Sequence, residues 1–285
     1  MADILYGKPV AEAIAENVKQ RCSGLKALGV TPSLAVLRVG EHASQIAYEN
    51  SARSRCEKMG LRCIALHFPA EVTQPDLLEA ITALNRDDSV HGIIVLLPLP
   101  KHISSRTISN AIDPRKDVDG VTNDSVSSVY LGRSGFSPCA PNACIELLDY
   151  YGYTIEEKKV CVVGRSIVVG RPLAMLLLTR DATVTICHTF SPDLASECRN
   201  ADVVISAAGN PGLITADHVR KGQILIDVGI TSGSDGILHG DVDLPAVSRI
   251  VRAVTPVPGG IGIVAGAVLV KHVIQAAEKL LQASP

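Results

Sequence analysis

"KKVCVVGRSIVVGRPLAMLLL", residues 158–178, decides how the fold is read. Two lysines lead into an apolar run at 160–163. Gly164, Arg165 and Ser166 follow, then Gly170, Pro172 and a second apolar stretch. A short apolar run closed by glycine reads as a buried strand that turns sharply into a helix. Glycines in such a turn let backbone approach a phosphate, and the helix N-terminus offers free N–H groups at its positive end. Arg165 adds a charge and Ser166 a hydroxyl. The spacing is not G-x-G-x-x-G, so a turn with purely structural duties stands beside the dinucleotide reading.

The same grammar extends both ways along the chain. Downstream, "ATVTIC", "DVVISAAG", "QILIDVGI" and "RAVTPV" read as further strands, and two of them run into glycine turns at Gly209 and Gly229. Upstream, "SLAVLRVG", "RCIALHF" and "VHGIIVLLPLP" are strands between helices at 9–28, 44–60 (Ser44 as cap, Gly60 as stop) and 74–87. Alternating strand and helix predicts a mainly parallel sheet in each half. Residues 104–137, rich in Asp, Ser and Gly, read as an irregular link. The expected class is α/β with two lobes: residues 1–137, with a closing helix at 264–285 packed back on them, and a Rossmann-like lobe at 138–263, with a cleft between.

An NAD site places a carboxylate at the end of the second strand to hold the ribose hydroxyls. Here "ATVTICHTF" ends in Cys187, His188 and Thr189, and Asp181 lies at the opposite end of that strand. The missing carboxylate together with Arg165 favours the 2′-phosphate of NADP. Thr189 offers a hydroxyl, and His188 reads equally as a ligand contact or a solvated side chain.

Composition narrows the function. Of 285 residues, 27 are Lys or Arg and 29 Asp or Glu, for a net charge of −2. That balance argues against nucleic acid or membrane surface as partner, and 3% aromatics leaves little for base stacking. The eight cysteines include no C-x-x-C, which points to reduced thiols and no metal site. No signal-like start and no apolar run of about 18 residues is seen. A cytoplasmic protein acting on a small molecule is expected.

Several motifs together resemble the methylenetetrahydrofolate dehydrogenase/methenyltetrahydrofolate cyclohydrolase family. They are "ASQI" with Tyr48, "VLLPLP" at 95–100, "KDVDG" at 116–120, Pro138-Cys139 with Pro141, "VVGRSIVVGRP" and "TPVPGGIG" at 255–262. The resemblance implies a folate-binding N-terminal lobe, an NADP-binding second lobe and a homodimer. It implies oxidation of a methylene bridge on tetrahydrofolate, then opening of the methenyl product by water. It places the folate derivative at Ser44, Tyr48, Leu96, Pro98, Asp119, Pro258, Gly259 and Gly260, with Tyr48 and Asp119 in the catalytic roles. It places NADP at Gly164, Arg165, Ser166, Val169, Gly170, His188, Thr189, Ala208, Gly209, Gly229 and Ile230.

The departures are chemical. The family's lysine four residues after Tyr48 is Ala52, and the glutamine that orients it is Leu96. The threonine of "PCTP" is Ala140, and the proline, methionine and threonine after "GGVG" are Ile263, Val264 and Ala265. Arg53 points about 100° from position 52 on an ideal helix, and Arg55 and Lys58 read as solvated charge. Hydride transfer asks for alignment, whereas water addition asks for a proton acceptor. The expectation is an NADP-dependent dehydrogenase with weak or absent cyclohydrolase. The alternatives are the bifunctional enzyme, a non-catalytic folate- or NADP-binding paralogue, and an oxidoreductase acting on another cyclic aminal.

Overall fold

The computed structural model describes residues 1–233 and 237–283. In chain order the elements are β1 (Asp3–Ile4), α1 (Gly7–Ala27), β2 (Ser33–Val39), α2 (Ala43–Met59), β3 (Arg62–Phe68), α3 (Gln74–Arg86), β4 (Gly92–Val95), α4 (Ser105–Asn110), α5 (Asn123–Tyr130) and α6 (Cys139–Tyr150). Then come β5 (Lys159–Val163), α7 (Gly170–Leu178), β6 (Thr183–Cys187), α8 (Leu194–Asn200), β7 (Val203–Ser206), β8 (Ile224–Asp227), β9 (Thr231–Ser232), β10 (Leu238–His239), α9 (Leu244–Val247), β11 (Ala253–Val254) and α10 (Ile261–Ala283).

The chain forms two compact units. One comprises Met1–Glu12 with Pro138–Ala265, the other Ala13–Ser137 with Gly266–Pro285. The first holds a six-stranded sheet in the order β1-β11-β8-β7-β5-β6, parallel throughout. The second holds a parallel three-stranded sheet, β3-β2-β4. The N-terminal boundary anticipated from sequence is therefore corrected: residues 1–12 belong with the six-stranded unit. The reason is a long-range pairing, since β1 pairs with β11 (Asp3 opposite Ala253, Ile4 opposite Val254).

In the three-stranded unit β2 is central and wholly buried. Its apolar side chains share one core with Leu77, Ile81 and Leu84 of α3 and with Ile93. Helix α3 starts where Thr73 accepts from the Asp76 N–H, with Pro75 in its first turn, as its sequence predicts. Its far end is held by an unforeseen group. Lys116 is 1% exposed, and its Nζ donates to the carbonyls of Leu84 (3.0 Å) and Asp87 (2.7 Å). Burial lowers the pKa of that ammonium, against the pull of nearby aspartates.

Helix α2 ends at Gly60 as expected, in a left-handed conformation (φ 81°). Its N-cap is His42, so Ser44 lies inside the helix and does not cap it. The link at 104–137 is not wholly irregular: α4 and α5 are capped by Ser104 and Thr122. Helix α10 begins at Ile261, three residues earlier than the sequence suggests, and most of it is buried. It is long and apolar enough to cross a membrane by composition alone, yet 67% of that window lies inside the protein.

In the six-stranded unit a core of Cys161, Val163, Val204, Leu225 and Val254 lies under α8 and α9. Among the described residues the eight cysteines form no disulfide, and seven of them are buried.

Candidate functional site

The six-stranded unit carries the turn that opened the sequence reading. Gly164 ends β5 at φ 120°, and a Cβ there would come within 2.8 Å of the Ala207 carbonyl carbon. A Cβ on Gly170 would lie 2.7 Å from the Gly164 carbonyl carbon. Both glycines are therefore required by close backbone approach. Ser166 Oγ accepts from the N–H groups of Val169 (3.1 Å) and Gly170 (3.3 Å), fixing the entry to α7. A tight glycine turn running into a helix start is the kind of backbone that receives a dinucleotide pyrophosphate.

Beside this turn, Arg165 lies over the Phe190 ring, 5.8 Å from its centroid, and the His188 ring meets Phe190 edge-on at 6.2 Å. His188 Nδ1 accepts from the Phe190 N–H (3.1 Å), so its ring is folded onto its own turn. Thr189 is exposed. Among the described residues no carboxylate follows β6 before Asp193, and Arg165 is exposed. Phe190, 80% exposed, was missed from sequence, although one of only three phenylalanines in the chain, two residues past His188, was a usable signal.

The loops after β7 and β8 are held by two buried carboxylates, neither assigned from sequence. Asp241 accepts from Ser206 Oγ (2.8 Å), the Ala208 N–H (2.7 Å) and the Asn210 N–H (2.8 Å). Asp227 accepts from the N–H groups of Gly229 (3.0 Å), Asp241 (3.1 Å) and Val242 (3.0 Å). Burial pushes the Asp227 carboxyl up to about 6 despite those donors. A Cβ on Gly229 would strike the Asp241 carboxylate, so that glycine is compulsory. Ala208, Gly209, Gly229 and the exposed Ile230 follow the ends of β7 and β8. Pro258, Gly259 and Gly260 also lie in this unit, and the Gly7 N–H donates to the Gly259 carbonyl (2.8 Å).

The three-stranded unit carries the other group of residues. Gln45, Glu49, Ala52 and Cys56 form the buried face of α2. Gln45 Nε2 donates to the carbonyls of Pro98 (2.7 Å) and Leu96 (3.4 Å), tying α2 to the segment after β4. Its Oε1 is the buried side-chain atom left without a partner among the described residues. Tyr48 is 40% exposed, Leu96 7% and Ala52 1%; Ser44 and Pro98 are exposed. Asp119 is half-buried, next to Val118, whose carbonyl accepts from His272 Nδ1 (2.8 Å). Asp117 instead braces the loop, bonded to the Val121 and Thr122 N–H groups and to Ser125 Oγ.

The candidate substitutes for the missing lysine separate clearly. Arg53 reaches Glu49 Oε1 (3.3 Å), and Glu49 is also bound by Arg38 (2.9 Å) and His67 (2.8 Å). Burial works to raise the Glu49 pKa, but the bonds from His67 and Arg38 outweigh it and hold the carboxyl below its usual range. Lys58 is exposed, as read from sequence. Arg55 is not the solvated charge anticipated: it is half-buried with its guanidinium against Gly266 of α10. A helical projection of α2 alone cannot reveal that contact. Among the described residues no cluster of His, Cys, Asp or Glu is placed to hold a metal ion.

The glycine turn of the six-stranded parallel unit marks a nucleotide-binding α/β enzyme, and the chain belongs to the tetrahydrofolate dehydrogenase/cyclohydrolase family. The family's catalytic domain matches residues 5–119 and its NAD(P)-binding domain residues 138–281. The chain is 44% identical to the bifunctional protein FolD of Bordetella avium, over 98% of this chain and 99% of that one. The crystal structure of the bifunctional FolD methylenetetrahydrofolate dehydrogenase/cyclohydrolase from Campylobacter jejuni superposes with a TM-score of 0.96 at 40% identity, covering 98% and 99% of the two chains. The Trypanosoma brucei methylenetetrahydrofolate dehydrogenase-cyclohydrolase, solved with NADP and an inhibitor, gives 0.93 at 34%, covering 99% of each. These relatives are bifunctional by name, which favours the bifunctional reading over the loss of cyclohydrolase expected from Ala52 and Leu96.

Proposed function

We propose that this protein is an NADP-dependent 5,10-methylenetetrahydrofolate dehydrogenase that also hydrolyses the methenyl product. The carrying observation is the Gly164–Gly170 cradle with Arg165 exposed beside it and no carboxylate ending β6. That arrangement suits a pyrophosphate and a 2′-phosphate. NADP, when bound, supplies the hydride acceptor. The chain's own work is to hold it at Gly164, Arg165, Ser166 and Gly170, and to hold the folate derivative at Tyr48, Gln45 and Asp119, excluding water from the reacting faces. The bifunctional names of the relatives support the second activity. Cytoplasmic location and a homodimer are part of the same reading.

A second reading keeps the dehydrogenase and gives a slow cyclohydrolase. The apolar pair Ala52 and Leu96 favours it, because lost general acid–base help is worth about 10²–10⁴-fold. Purified protein given methylenetetrahydrofolate with NADP or NAD tests both readings, with NADPH formation and methenyl decay followed separately. NADPH formation with methenyl decay keeping pace supports the first reading. Accumulating methenyl product supports the second, and no NADP reduction ends both.

A further inference from the structure

We propose that Arg55 supplies the cation at the one-carbon end of the folate site, in place of the lysine that Ala52 displaces. The inference rests on the folate reading above and concerns the hydrolytic step.

On α2, Tyr48 and Arg55 are seven residues apart and share one side of the helix to within about 20°, with Ala52 between them. Arg53 lies on the opposite flank, engaged with Glu49. Helical side chains lean toward the N-terminus of their helix, so Arg55 covers the turn that contains Ala52. Ala52, 1% exposed, projects only a methyl group from that turn, so no second long side chain starts there.

The other wall is built to match. Gly266 lies inside α10, where glycine costs roughly 0.5–1 kcal/mol relative to alanine. A Cβ at that position would come within 2.5 Å of Arg55 Nη1 and 2.6 Å of Nε. The glycine thus makes room for the guanidinium. Once seated, the guanidinium has no hydrogen bond or ion pair among the described residues, although every other arginine that is half-buried or buried here has one. Arg38, for example, bonds Glu49 and Glu41. A half-buried, positioned fork of N–H donors without an acceptor is suited to an oxygen on a bound molecule.

Water addition creates such an oxygen. The water oxygen bonds to the methenyl carbon, and one water proton leaves to solvent. The carbon–nitrogen bond to N5 then breaks, the second proton is shed from the hydroxyl as the formyl carbonyl forms, and N5 takes up one proton. The net change is methenyl cation plus water giving 10-formyltetrahydrofolate and one proton. Arg55 donates hydrogen bonds to that oxygen throughout. It does not move the proton, because a guanidinium stays charged.

The test supplies 5,10-methenyltetrahydrofolate directly, without NADP, and subtracts the uncatalysed rate. NADPH formation from the methylene compound is measured in parallel. Arg55→Met should lower methenyl hydrolysis at least tenfold more than NADPH formation, with Lys58→Met leaving both unchanged. Gly266→Ala, which pushes the guanidinium off its seat, should lower hydrolysis in the same direction. Arg55→Lys should recover hydrolysis near neutral pH but lose it as pH rises toward about 10, a limb the wild type lacks. A purely structural cation would give no such limb. Wild-type protein that does not hydrolyse the methenyl compound overturns the inference, as does Arg55→Met that lowers the two rates equally or neither. Failure of NADP reduction with hydrolysis intact would instead sink the dehydrogenase reading and leave Arg55 standing.

Discussion

The backbone N–H of Asp241 donates to Asp227 Oδ1 at 3.1 Å, so one buried carboxylate positions the residue whose own carboxylate gathers the next loop. The two act in series across the ends of β7 and β8. Asp241→Asn places an amide where three donors converge, and at least one N–H or O–H loses its acceptor. The expected cost is about 2–4 kcal/mol of stability, since bonds to a charged acceptor contribute about 1.5–3 kcal/mol each. Chemical denaturation and an NADP titration should both register it.

Gly164→Ala places a Cβ against the Ala207 carbonyl at a φ of 120°. The strand end must shift, at a cost of about 1–3 kcal/mol for the strained backbone alone. The KM for NADP should rise more than tenfold while the affinity for the folate substrate changes little. Steady-state kinetics with each substrate varied in turn would check this.

Arg165→Ala removes the exposed cation beside Phe190. If that cation meets a 2′-phosphate, the variant loses about 1.5–3 kcal/mol toward NADP. NAD, lacking the phosphate, should be little affected. The measured ratio of kcat/KM for the two cofactors should fall by one to two orders of magnitude, and an unchanged ratio would remove Arg165 from the site.

His272 sets an acid limit on stability. It is 3% exposed, bonded through Nδ1 to the Val118 carbonyl, and burial lowers its pKa to about 4 from 6.5. Between those values the unfolded chain binds the extra proton. Stability contributed by neutral His272 is therefore full above pH 6.5 and is lost as pH falls toward 4, by about 3 kcal/mol in total. His272→Asn should flatten that part of the curve, as seen by comparing urea midpoints of the two proteins from pH 7 to 4.

Strands of four or more residues with apolar patterns, such as "KVCVV" and "GIIV", were legible because burial on both faces writes itself into the local sequence. The glycines at 164 and 170 were legible for the same reason: the constraint lies within a few residues. Features set by distant partners were not. Strand β1 is two residues long and carries no pattern, so its place beside β11 was invisible. Lys116 stands in the stretch 104–137 that reads as an irregular link, and only the fold shows it closing α3. Asp241 carries no local pattern that marks its role, and Arg55 acquires meaning only from Gly266. Ser44 was read as a cap by residue type, while the N-cap is His42, two residues earlier.

Strand β1 also bears on modularity. The nucleotide-binding half cannot be cut out as one continuous stretch, because residues 138–281 alone would leave the outer side of β11 bare. A bare edge of this kind recruits other chains. A fragment made for ligand screening or domain transplantation would therefore have to carry the first dozen residues as a grafted peptide. Shuffling of this lobe between genes by a single crossover is disfavoured on the same ground.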